Sequence, residues 1–250
     1  MPQVNLLRTI LFNFNFLPFQ QAIKLPVVLY GKVQFYSLEG KVKIEGQIFT
    51  KMIKIGSNRA SLSGYDKSTT IALLKEGLII FKGKADIGMG TLLRINGTLI
   101  VGNNCNIGSN SKILCDCLIE LGDDVDASFQ TSIMDTNFHP LVNLNTKEVH
   151  PFRQPIKIGC ENWIASSVCI MPGTITKNYT TIASNSMVNK DFSKNDVENM
   201  VIGGIPAKIL RTNMYRIRSH CIEENIAQHY RKNVQSIYIY DNKGIIDTKD

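Results

Sequence analysis

IKIGCENWIASSVCIMPGTITKNYTTIASNSMVNK (residues 156 to 190) repeats itself every six residues without interruption. The marked positions are Ile158, Ile164, Ile170, Thr176, Ile182 and Val188, all apolar or β-branched. Four residues after the first five come Asn162, Val168, Thr174, Thr180 and Ser186, a mostly small or β-branched set. An α-helix needs apolar residues near a 3.6-residue spacing, so a six-residue period rich in β-branched residues, Gly and Asn cannot keep one helical face buried. Short strands joined by tight corners can, with both sets pointing inward. Small or flexible residues follow most of the markers (Gly159, Ala165, Ala183, Asn189) and suit corners.

Three such strands make a triangular coil of eighteen residues. Stacking the coils in parallel register satisfies the backbone donors and acceptors of each with the next. The period continues upstream at Val101, Ile107 and Ile113 and, after a slip of two residues, at Leu121, Ala127 and Ile133. IKIG (53 to 56) and ADIG (85 to 88) read as irregular earlier coils. The competing fold, an antiparallel sandwich or barrel, requires six markers to fall in register by chance.

Two stretches break the pattern. Residues 137 to 157 contain three prolines and no six-residue period, and read as a loop thrown out between coils. A loop of that length on a rigid scaffold is usually functional. Residues 57 to 83 are also irregular and allow a second excursion. After PAKILR, the residues Tyr215, Ile217, Ile222, Ile226 and Tyr230 give a helical face suited to capping the open end of the column. SIYIYDNKGIID, near the end, reads as strand, turn, strand. The resulting organisation is a packing segment (1–52), a coil domain (53–211) with its loop at 137–157, and a helix with a tail (212–250).

Composition narrows the setting. The chain has 250 residues, 44% of them hydrophobic, so disorder is not the default. The N-terminal stretch LLRTILFNFNFLPFQQAIKLPVVLY is apolar but is interrupted by Asn13, Asn15, Gln20, Gln21 and Lys24 before it can span a bilayer. It also lacks the pattern of a secretory signal. It is expected to pack on the domain or a neighbouring copy, with a peripheral membrane contact as the alternative. The six cysteines follow no disulfide framework and suit a reducing cytoplasm. Cys115-Asp116-Cys117 is poorly spaced for a metal and has no His pair to join it, so no metal is expected. The net charge of +7 forms no long run, which argues against nucleic acid. A polyphosphate or an anionic, lipid-linked substrate accounts for it equally well, as does a merely solvated basic surface.

The ordered set DTNFHP (135 to 140), PIKIGCENWIASSVCIMPGTI (155 to 175), IASNSMVNKD (182 to 191) and GGIPAKIL (203 to 210) resembles the hexapeptide-repeat acyltransferases. The likeness is to galactoside and maltose O-acetyltransferases and to enzymes that acetylate surface polysaccharides, and it covers about residues 85 to 211. The resemblance implies a left-handed parallel β-helix, a homotrimer, active sites in clefts between prisms, and acetyl-CoA as donor. By the same resemblance His139 is the general base, and Trp163 packs beside the transfer site and the cofactor. Ser166 and Ser184 line the pantetheine arm, while Lys190 and Arg211 lie near the phosphates. The segment Gly204 to Lys208 would close the last coil. Departures are Ala165 and Ala183 in place of glycine, and Thr176-Lys177 in place of Ile-Gly. The acceptor-binding Asn of the sugar acetyltransferases has no counterpart here.

Acetyl transfer to a hydroxyl needs proton removal, alignment and oxyanion stabilisation. His139 suits the first, because imidazole titrates near neutrality. Asp135 and Asn137 are close enough in sequence to orient it or bind the acceptor, and are equally good turn formers. The expected activity is therefore transfer of acetyl from acetyl-CoA to a sugar hydroxyl in surface polysaccharide or glycan biosynthesis, the acceptor nucleotide- or lipid-linked, in the cytoplasm. Rival readings are N-acylation of an amino sugar and a non-catalytic scaffold. A zinc-dependent hydratase on the same prism is a third, but His139 and His150 alone lie near the coils, too few for a three-histidine site.

Overall fold

A computed structural model describes residues 3–57, 68–234 and 237–239. Residues up to Met214 form one compact unit and those from Tyr215 a second. The first unit is a left-handed parallel β-helix of three sheets, one for each side of a triangular prism. The first face stacks Val27–Leu29, Ile53–Ser57, Ala85–Gly88, Cys105–Ile107, Asp126–Ala127, Trp163–Ile164, Thr181–Ile182 and Val201–Gly204 in parallel. Ala207–Arg211 then folds back antiparallel and closes that face. The second face runs from Val33–Leu38 to Met187–Val188 and the third from Lys41–Ile44 to Ile156–Ile158.

Both inward sets are buried as the period requires. Ile164, Ile170, Ile182 and Val188 are fully enclosed, and so are Asn162, Thr174 and Thr180 between them. Burial of this aliphatic column is the main favourable contribution to the fold. The polar members satisfy themselves on the corners. The Asn162 amide donates to the carbonyls of Gly159 (2.9 Å), Cys160 (3.1 Å) and Lys177 (2.8 Å), and its oxygen accepts from the Thr176 hydroxyl (2.9 Å).

The corners bend elsewhere than expected. The backbone enters the left-handed region three residues after each of the first five markers, at Glu161, Ser167, Gly173, Tyr179 and Asn185, with φ between 56° and 80°. The position directly after the marker, where flexible residues were expected, is instead a close approach between coils. Gly102, Gly122 and Gly159 form such a column, and a Cβ on any of them would strike the backbone of the coil below. The column ends at Lys177, beside a cavity lined by Lys177, Asn178, Tyr179 and Glu198.

Coil length also differs from the uniform eighteen. In the upper prism the stacked partners Leu93, Ile113 and Ile133 are twenty residues apart, whereas Cys169 and Met187 are eighteen apart. The slip of two therefore recurs between these coils, at the wider corners Asn96-Gly97 and Asp116-Cys117, while the spacing above Leu93 is longer still. The column also begins earlier than residue 53, because Val27–Leu29 already pairs with Ile53–Ser57 and Lys41–Ile44 with Leu78–Phe81. Within the irregular stretch 57 to 83, Thr69–Leu73 and Leu78–Phe81 are regular coil strands, and the remaining residues 58–67 lie outside the described residues.

In the second unit a helix forms at His220–Lys232, capped by Ser219, whose hydroxyl accepts from the Ile222 N–H. Tyr215 and Ile217, expected on its face, precede it. The proposed turn at Asp241–Gly244 lies outside the described residues. All six thiols are free; burial pushes the Cys105 thiol up to about 12 and, with the nearby Asp135 carboxylate, raises Cys115 as well.

Two outcomes follow from this packing. Asn162→Ala strands three carbonyls and the Thr176 hydroxyl and should cost about 3 kcal/mol of stability, read by denaturant unfolding. A thiol probe at pH 8 should label the exposed Cys221 first and leave Cys105 and Cys115 unmodified in the folded chain, read by peptide mass spectrometry.

Candidate active site

The chain leaves the prism after Ser132–Met134 on the second face and re-enters at Ile156–Ile158 on the third. The excursion therefore covers 135–155, starting and ending two residues earlier than expected from the sequence. It is a two-limbed finger. Thr136 bridges Arg153 and Val142 bridges Val149, both antiparallel, and Asn143 closes the tip by donating its N–H to the Glu148 carbonyl and accepting from Lys147 and Asn145.

Its root is clamped by charge. The Asp116 carboxylate, almost fully buried, accepts from Arg94 at 2.6 Å and lies 3.7 Å from Arg153 on the returning limb. The Arg94 guanidinium stacks 5.2 Å over the Phe138 ring and Arg153 sits 5.0 Å over Phe152. Such contacts pair cations with ring faces on both limbs. Phe138 adopts φ 62°, turning the chain just before His139, whose N–H donates to the Asn137 carbonyl at 2.7 Å. The His139 imidazole is left exposed on a short, doubly anchored turn, with no hydrogen-bond partner among the described residues. Asn137 is also exposed, its N–H bound to the Phe152 carbonyl (2.8 Å).

Asp135 does not join them. It is 0% exposed, and its two carboxylate oxygens accept from the N–H groups of Asp116 (2.7 Å) and Cys117 (2.8 Å), with the Cys115 thiol at 3.5 Å. It is a corner clamp rather than an acceptor ligand or an orienter of His139. The Cys-Asp-Cys segment, considered above for metal, is the corner it holds.

The other expected residues occupy a different part of the prism. Trp163 lies on the first face, in register between Asp126 and Thr181. Ser166 and the exposed Ser184 stack at the corner between first and second faces, joined by the Asn185 N–H donating to the Ser166 carbonyl (3.1 Å). The exposed Arg211 ends the antiparallel strand opposite Val201, at the other edge of the first face from the two serines. Lys190 shares the corner of His139 between second and third faces, lower down, with its ammonium 5.1 Å over Phe192. One prism thus keeps His139 and Lys190 apart from Trp163, the two serines and Arg211. The exposed His150, on the returning limb of the finger, enters neither group. Arg94, Asp116 and Arg153 were not singled out from the sequence; the one signal was the two-residue slip that marks the Asp116 corner. No group of three or more His, Cys, Asp or Glu among the described residues is placed to hold a metal ion.

No family model matches the chain. Over 111 residues it is 30% identical to the galactoside O-acetyltransferase of Escherichia coli (strain K12), covering 44% of this chain and about half, 52%, of that protein. Over 146 residues it is 25% identical to WbbJ of the same organism, which is named for O-acetyl transfer in lipopolysaccharide biosynthesis; the match covers 54% of this chain and 72% of the relative. Among solved structures, the polySia-specific acetyltransferase NeuO superposes with a TM-score of 0.60 at 17% identity, over 85% of this chain and 87% of that one. In sequence and in fold the chain resembles the hexapeptide-repeat acetyltransferases.

Asp135→Ala removes the acceptor of two buried N–H groups and should lower stability by about 2 to 4 kcal/mol. A melting shift is therefore expected, without the loss of acceptor affinity that a substrate ligand would show.

Proposed function

We propose that this relative of the hexapeptide-repeat acetyltransferases transfers an acetyl group from acetyl-CoA to a sugar hydroxyl, with His139 as general base. The observation that carries the reading is the exposed imidazole on a clamped turn of a chain whose curated relatives are O-acetyltransferases. Arg94 and Arg153 hold both limbs of the finger to the rigid coils, so His139 is presented at low conformational cost. In the reaction an imidazole nitrogen takes the acceptor hydroxyl proton as its oxygen attacks the thioester carbonyl, and the departing thiolate is then protonated. No covalent acyl-enzyme is needed.

The donor's pantetheine arm would lie along Trp163, Ser166 and Ser184, with Lys190 and Arg211 near its phosphates. His139 stands on a different corner from Trp163 and the two serines. A second prism is therefore required to bring the two halves together, and a homotrimer provides this in its clefts. The finger supports that assembly, since Leu141 and Leu144 are 82% and 74% exposed and would be sheltered against a neighbouring copy. The acceptor would be a glycan unit of surface polysaccharide biosynthesis, nucleotide- or lipid-linked. Six unpaired thiols suit a cytoplasmic setting.

His139→Ala should lower kcat roughly 10²- to 10⁴-fold while acetyl-CoA binding is retained. Full activity in that variant removes the proposal, and acceptor profiling with hydroxyl and amino sugars separates O- from N-acylation. Leu141→Asp with Leu144→Asp should convert a trimer to monomers in light scattering and abolish turnover together.

A further inference from the structure

The upper end of the prism carries a surface that acetyl transfer does not use. Helix α1 (Leu6–Phe16) lies across that end and touches all three faces. It packs on Val27–Leu29 of the first and Lys41–Ile44 of the third, and Arg8 and Phe12 meet Phe35 of the second. Its inward side is polar at the points that matter. Val27–Leu29 is the last strand of its sheet, so its outer edge has backbone groups without a strand partner. The Asn13 side chain accepts from the Val27 N–H and donates to the Val27 carbonyl (2.7 Å), and the Thr9 hydroxyl accepts from the Leu29 N–H (3.0 Å). With Thr9, Phe12 and Asn13 turned inward and Phe16 packed beside Phe12, the helix presents its other apolar residues outward. Leu6, Leu7, Ile10, Leu11 and Phe14, continued by Phe19 and Ile23, are 40 to 70% exposed and point away from the coils.

The charge of the segment that builds this face argues for its occupant. Arg8, Lys24 and Lys32 are the only charged residues in the first 38, and Glu39 is the first acidic one. A second copy docked end to end would oppose these cations to their own kind. An anionic lipid surface would attract them while accepting the apolar side chains between the headgroups. No described helix is long and apolar enough to cross a membrane, so the contact is interfacial. We infer that the α1 end of the prism is a docking face for anionic membranes, which holds the enzyme with its prism axis away from the lipid. The inference stands independently of the acetyl transfer proposed above.

The test is co-sedimentation of the full chain with vesicles of equal parts phosphatidylglycerol and phosphatidylcholine, against phosphatidylcholine alone. At low salt the anionic vesicles should bind at least about tenfold more tightly, and added salt should reduce the difference. Leu7→Asp with Leu11→Asp should weaken binding about a hundredfold and Lys24→Glu about tenfold, with the oligomeric state and turnover on a soluble acceptor unchanged. Both leucines are exposed, so the double variant should keep its melting transition; if it does not, Phe19→Asp on the following turn serves instead. Wild-type protein that ignores anionic vesicles overturns the inference, as do variants that bind like wild type. Loss of subunits in the aspartate variant also overturns it, by showing that another copy covers this face.

Discussion

Every strand in this molecule depends on the one above and below it for its backbone hydrogen bonds, and that dependence organises the rest. In a parallel stack an N–H or C=O aimed at a neighbouring coil, or buried under a cap, has no water to fall back on. Interior coils solve this by register, as in the run Asp126, Trp163, Thr181 and Val201 on the first face. The corners solve it with side chains, and Asn162 and Asp135 each bind several backbone groups where the chain bends. These two buried polar residues sit among aliphatics because they satisfy backbone groups that would otherwise be buried without partners.

The ends of the column cannot be solved by register, and each is treated differently. At the lower end Ala207–Arg211 folds back on Val201–Gly204 as an antiparallel strand. At the upper end α1 covers the edge of Val27–Leu29 with Asn13 and Thr9. A helix that must give its polar side chains to a strand edge has its apolar ones left over. The exposed leucines and phenylalanines of α1 are thus a direct consequence of capping, and the cations of the same segment suit them to an anionic surface.

The finger is the one place where the stack releases the chain and takes it back. Its departure costs little because Met134 and Ile156 are still in register with the coil above, through Leu114 and Ile119. Asp135 then ties the exit to the corner of that coil, and Asp116 on that corner draws in Arg94 and Arg153. Two neighbouring aspartates with opposite duties result. One serves backbone N–H groups and vanishes into the core, and the other gathers guanidinium groups that steady the turn bearing His139.

The six-residue ladder was legible from residues 156 to 190 alone, because side chains that fill a narrow prism must recur once per short strand. The excursion was legible too, since three prolines and a lost period cannot stay in the stack. His139 stood out by its motif. The sequence could not show that Asp135 turns inward while Asn137 turns out. It also could not show that Arg94 reaches the finger or that α1 is apolar on its outer side. Those outcomes rest on contacts between residues distant along the chain, and local pattern records only the periodicity of a strand, not which strand lies beside it.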